Sequence, residues 1–162
     1  MSTIQQNPHA LAVDFKLLFS EILEEVALSR LINTVQNSTE HRIGAATYDN
    51  AQCSSTRSGE NCKVTCTLGR DQVFTGDTNQ APFVKPLKGH LVIADGCSID
   101  DLYCRTFKFG YAAAETLLYI CFFDFNTMLL GYFYARTPSS VSAVGMGEGE
   151  WHPCHKRYRS AS

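Results

Sequence analysis

Several signals are missing from this chain, and each absence closes a class of function. No Gly-x-Gly-x-x-Gly opens a helix after a strand-like run, and no Gly-Lys-Ser/Thr element occurs, which argues against the common nucleotide-binding enzymes. The nearest approach is Gly-Met-Gly-Glu-Gly-Glu over residues 145–150. No helix-like pattern follows it to present amides, and its carboxylates repel phosphate. Paired Cys-x-x-Cys knuckles are absent, so a zinc ribbon is not expected. Basic residues are not in excess: 14 Lys and Arg stand against 16 Asp and Glu, a formal charge of −2. No overall field recruits nucleic acid or an anionic membrane.

The first ten residues, as given, lack both a basic start and an apolar run. A secretory signal is therefore not expected. Seven cysteines, an odd number, then point to a reducing, cytoplasmic or otherwise intracellular setting with free thiols. The rival is a mature secreted chain with up to three disulfides and one thiol over.

What is present is globular. The 162 residues suit one domain, with 44% hydrophobic and 19% charged residues. Ten Phe and seven Tyr against one Trp favour a sheet-rich core.

Asn7 and Pro8 have the chemistry of a helix start. Leu11, Phe15, Leu18, Ile22 and Val26 then recur at helical spacing, widened by Phe19 and Leu23. One long amphipathic helix is predicted over about residues 8–35, bending or breaking near Ser29, with Asn37-Ser38-Thr39 as its stop. Residues 45–61 are rich in Ser, Thr, Asn and Gln and read as loop and turn. Strand patterns follow at 62–68, 72–75, 90–94 and 102–109, with Gly69 in a hairpin turn and Arg105 and Lys108 reaching water. A last strand is predicted at 141–146, with residues 147–150 mobile and acidic.

The strongest local pattern is TLLYICFFDFNTMLLGYFYAR, residues 116–136. It is long enough to span a membrane. One Asp at the centre of a spanning helix costs about 2.5–3.5 kcal/mol. Two strands around Asp124-Phe125-Asn126-Thr127 avoid that cost, so a hairpin is predicted and no membrane span. Leu117, Tyr119, Cys121 and Phe123 face one way and Leu118, Ile120 and Phe122 the other. Both faces therefore need cover, one from the helix and one from further sheet or a second copy. Gly131 reads as a bulge or a point of close backbone approach.

His152, Cys154 and His155 are metal-capable, as are Cys62 and Cys66 if they meet a third ligand on a shared strand face. Three ligands within four residues close a tetrahedron poorly, and buried free cysteines are usually small hydrophobes. The bland reading of residues 152–162 is a basic, disordered tail behind an anchoring Trp151. His90, Asp95, Asp100 and Asp101 are the acid–base option, should neighbouring strands bring them to the mouth of one pocket. Turns prefer Asp in any case. Aromatics at Phe107, Phe109 and residues 132–134 resemble stacking platforms, but no basic cluster surrounds them.

The sequence thus predicts one α+β domain over residues 1–151. A long N-terminal helix packs on a curved, mostly antiparallel sheet of about five to seven strands, sandwich-like or an open barrel. No cofactor is implied. The leading function is a non-enzymatic interaction module that self-associates or binds a partner protein through apolar sheet or helix surface. The alternatives are a small pocketed enzyme or ligand carrier using the His/Asp pair, and a thiol or zinc protein.

Overall fold

The hairpin around Asp124 forms as its sequence demands. It belongs to a closed barrel. The computed structural model describes residues 16–17, 19–20, 23–40, 47–69, 72–78, 86–94, 96–114, 117–137 and 143–153. Its strands are β1 (Thr47–Ser58), β2 (Asn61–Leu68), β3 (Gln72–Thr78), β4 (Leu87–Ile93), β5 (Lys108–Ala114), β6 (Leu117–Phe123), β7 (Leu129–Arg136) and β8 (Ala143–Pro153). The helices bounded within the described residues are α1 (Glu25–Glu40) and α2 (Ile99–Arg105).

Around the barrel the order is β1-β2-β3-β8-β5-β6-β7-β4, returning to β1. Every neighbouring pair is antiparallel. The first half reads 4-1-2-3 and the second 8-5-6-7, so each is a Greek key and the topology is written twice. Closure leaves no free sheet edge.

Alternation explains the two faces. Leu118, Ile120 and Phe122 of β6 point inward with Phe74, Phe109, Phe133 and Trp151. An eight-stranded barrel is just wide enough for side chains to fill. Here Phe74 packs edge-on against Phe109 and Phe122, with centroids 5.3 and 5.0 Å away. Glycines on the inner faces of β3 and β8 make the room. A Cβ at Gly76 would sit 2.6 Å from the Phe109 ring, and one at Gly147 would strike that ring and the Asp77 carbonyl. Leu102 of α2 is fully buried in the same core, with Ile99 and Tyr103 packed on it.

The outer face of β4–β7 is apolar too, and α1 with the residues before it covers that face. Phe19, Leu23, Ala27 and Leu31, spaced by four, pack on Ala112, Tyr119, Cys121, Phe123 and Tyr132. Phe19 lies over Gly110, where a Cβ would come within 2.9 Å of its ring. The opposite wall, β1–β3, turns Gln52, Ser54, Thr65 and Thr67 outward, half-exposed to water.

The predicted α+β fold, one long helix on a curved, sandwich-like or open-barrel sheet, is therefore corrected to a mostly β, closed barrel. The helix does not run unbroken from residue 8. Residues 1–15 lie outside the described residues. Ser20, Leu23 and Glu24 are not helical and the helix begins at Glu25, so Ser29 is inside α1 and Asn37-Ser38-Thr39 does not stop it. The buried stripe is also displaced: Val26, assigned to it, is 67% exposed. Residues 47–58, read as loop, form β1. Its inward positions are the small Ala51, Cys53 and Ser55, and its outward ones are polar because that wall is wet. Of the strand predicted at 102–109, residues 102–105 belong to α2 and residues 108–109 open β5. Residues 147–150 are ordered within β8. Gly131 sits where a Cβ would lie 2.8 Å from the Val92 carbonyl, beside a register shift at Phe122/Phe123. No helix among the described residues is long and apolar enough to cross a membrane.

Candidate functional site

The residues singled out for acid–base chemistry do not meet as expected. His90 projects from β4 on the outside of the barrel, its Nδ1 2.7 Å from the Asp49 carboxylate and its ring 5.1 Å from that of Tyr134. Asp49 is exposed. Asp100 is exposed in the first turn of α2, and Asp95 lies outside the described residues. Asp101 caps that helix: Ser98 Oγ accepts from its amide at 3.1 Å, and its carboxylate accepts from the Ser98 amide at 2.9 Å.

The metal candidates are likewise dispersed. Cys66 is disulfide-bonded to Cys53, its register partner across β1 and β2, in the barrel interior. Cys62 shares the inward face of β2, as its spacing predicts. His152 stands in β8 on the outer wall, hydrogen-bonded to Thr75 at 2.9 Å. Cys154 and His155 lie outside the described residues. Among the described residues no group of three or more His, Cys, Asp or Glu is placed to hold a metal ion. Burial drives the Cys121 thiol far above its ordinary range. Burial also raises the Tyr111 phenol, while a hydrogen bond with Thr78 opposes the rise.

The most developed surface feature is the β6–β7 turn, which sequence reasoning treated only as a connection. Asp124 is 6% exposed. Its Oδ1 accepts from the amides of Asn126 and Met128 at 2.8 and 2.9 Å. Its Oδ2 is 2.8 Å from Arg105 of α2. Its backbone amide donates to the Met128 carbonyl, and its carbonyl accepts from the Thr127 amide. Thr127 takes a left-handed φ of 64°, and its hydroxyl accepts from Lys108 Nζ at 3.0 Å. This turn is held from four sides.

At its tip Phe125 is 71% exposed, with Phe107 edge-on at 5.2 Å and 39% exposed. Met128 beside it is also exposed. On one side of the aromatic pair lies a cleft of about 410 Å³, lined by Val26 and Arg30 of α1, Lys108, Phe125 and Met146. On the other lies a shallower cleft of about 280 Å³, lined by Asp77, Phe107, Glu148 and Glu150. Lys108 and Glu148 face each other directly in the β5–β8 ladder, so the two clefts adjoin. The signal that could have found this site is Asp124 itself, an Asp between two apolar strands followed two residues later by Asn.

The comparisons agree with this fold. Virulence-associated protein VapB from the intracellular pathogen Rhodococcus equi aligns at 30% identity and a TM-score of 0.57, covering 66% of this chain and 96% of that one. VapD from the same organism aligns at 27% identity and 0.56, covering 66% and 97%. The comparison with curated proteins gives no match. The family described as Rhodococcus equi virulence-associated protein matches residues 2–152. On that extent this chain, with its closed barrel, belongs to the Rhodococcus equi virulence-associated protein family.

Proposed function

We propose that this chain is a non-enzymatic, virulence-associated interaction protein that docks a partner protein on the Phe107–Phe125 face. One observation carries the reading: the most exposed aromatic ring in the described structure stands on a turn pinned by a buried carboxylate. A solvated Phe gains most by being covered. A turn already fixed in place loses little conformational entropy when that happens. Anchors of this kind dominate protein interfaces.

The rival readings have weaker support. The inner positions of the barrel are filled by Phe74, Phe109, Phe122 and Phe133, which leaves a ligand carrier little room there. His90 and Asp49 form a surface pair on the barrel wall, away from both clefts described above. The Cys53–Cys66 bond favours an oxidising compartment in place of the reducing one predicted from the cysteine count. The role in virulence is carried over from the names of VapB and VapD.

The test compares wild type with Phe125→Asp against each partner after that partner has been identified and purified. A loss of at least about tenfold in affinity, with an unchanged melting temperature, is expected when a central anchor is replaced by a charge. A purified partner that binds both forms equally overturns this assignment of the face.

A further inference from the structure

We infer that the occupant of this face is a second copy of the same chain, docked about a two-fold axis running through the Phe107–Phe125 pair. The inference rests on the docking reading above and goes further, because it names the partner. A two-fold interface requires a patch complementary to itself. A patch of one charge sign repels its own copy. This patch carries opposite signs on its two sides. Among the described residues, the α1-side cleft is lined by Arg30 and Lys108 and by one acid, Glu24. Among the described residues, the β3–β8 cleft is lined by Asp77, Glu148 and Glu150 and by no base. The apolar ridge lies between them, Phe125 lining the first cleft and Phe107 the second.

Half a turn about that ridge lays the basic side of each copy on the acidic side of the other. It also stacks the two Phe pairs at the centre, where water is excluded. Apolar anchors in the middle with matched charges at the rim are the usual anatomy of a specific interface. A partner of single charge sign would satisfy one cleft and be repelled by the other.

The experiment is sedimentation equilibrium on the full chain, up to roughly 100 μM so that a micromolar dimer is populated. Three proteins are compared: wild type, Arg30→Glu/Lys108→Glu, and Asp77→Lys/Glu150→Lys. Wild type is expected to dimerise, and more weakly at high salt. Each double variant alone is expected to lose at least about tenfold in self-affinity, because its two sides now carry like charge. Mixed one to one, the two variants are expected to form a heterodimer, since each has become the complement of the other.

Melting curves establish that both variants fold, which matters because Lys108 also holds Thr127. Should the Lys108 change unfold the chain, Arg30→Glu mixed with Glu150→Lys gives the same complementation test. A wild type that stays monomeric overturns the two-fold inference. So do homodimers indifferent to charge reversal, or variants that fail to pair when mixed. A monomeric wild type that still needs Phe125 to bind an unlike protein leaves the docking reading standing, so the two failures are distinguishable.

Discussion

Replacing Asp124 separates two jobs done by one side chain. Asp124→Ala removes three accepted hydrogen bonds, from the amides of Asn126 and Met128 and from the guanidinium of Arg105. A hydrogen bond to a charged group contributes roughly 1.5–3 kcal/mol when shielded. Arg105 is half-exposed and the turn opens to water, so each is discounted to about 1–1.5 kcal/mol. The expected loss is about 3–4 kcal/mol, a fall of roughly 6–16 °C in melting temperature for a chain of this length. Asp124→Asn keeps a carbonyl oxygen for both amides and gives up only the ion pair. It is expected to cost about 1 kcal/mol. Thermal and urea unfolding followed by circular dichroism measure both values. Amide hydrogen exchange at Asn126 and Met128 supplies a local readout, accelerated in the Ala variant and near normal in the Asn variant. An Ala variant within about 0.5 kcal/mol of wild type, in the range of a neutral surface change, refutes the claim that this carboxylate organises the turn.

Reduction, or Cys53→Ser, should destabilise the chain by roughly 2–3 kcal/mol, because the bond closes a short loop, the sequence separation being 13. Melting with and without reductant measures this, and an unchanged midpoint speaks against the bond. Gly147→Ala should cost about 2–3 kcal/mol, since its Cβ meets the Asp77 carbonyl and the Phe109 ring, whereas Gly96→Ala meets nothing within 4 Å and should show only the backbone cost of its positive φ. In the folded chain the exposed Cys104 should react with an alkylating reagent at pH 8 while Cys121 stays unmodified, as peptide mass spectrometry would show. Cys121 and Tyr111 both have raised folded values, so below pH 9 the folded and unfolded chains hold the same protons at these groups. Above 9.0 for the thiol and 10.0 for the phenol the unfolded chain ionises first, and stability should fall by up to about 1.4 kcal/mol per pH unit for each group. A stability curve flat from pH 8 to 11 contradicts this.

The sequence made plain those elements whose burial is lopsided or complete. β6 and β7 could be found because almost every side chain is apolar, and the demand for cover on both faces follows directly from that. β1 could not. Its inward residues are small because the barrel has little room opposite Val64 and Leu68, and its outward residues are polar, so TYDNAQCSSTRS carries the composition of a loop. The true strand signal, alternation of small with polar, is faint where turn formers such as Asn50 intervene. α2 was hidden for another reason. Seven residues are too few to show a helical period, and its real mark is the Ser98/Asp101 capping box, whose carboxylate reads in sequence equally well as an acid–base candidate. The Cys53–Cys66 pair depends on a strand register that spacing does not reveal. Phe125 escaped notice because a ring at a turn has no periodic neighbour to point at it.

The placement of β8 has a consequence for how the chain comes into being. The last described strand slots between β3 and β5, joining one Greek key to the other. Until it arrives, each half can curl but neither can shut. A ribosome-bound chain halted before Ala143 would hold out two unsatisfied rows of amides and carbonyls, one along β3 and one along β5. Each is ready to recruit a strand from a neighbour. Pairing over such distances in sequence makes ring closure slow and late. Aggregation during synthesis, more than unfolding of the finished protein, is then the hazard this topology has to survive.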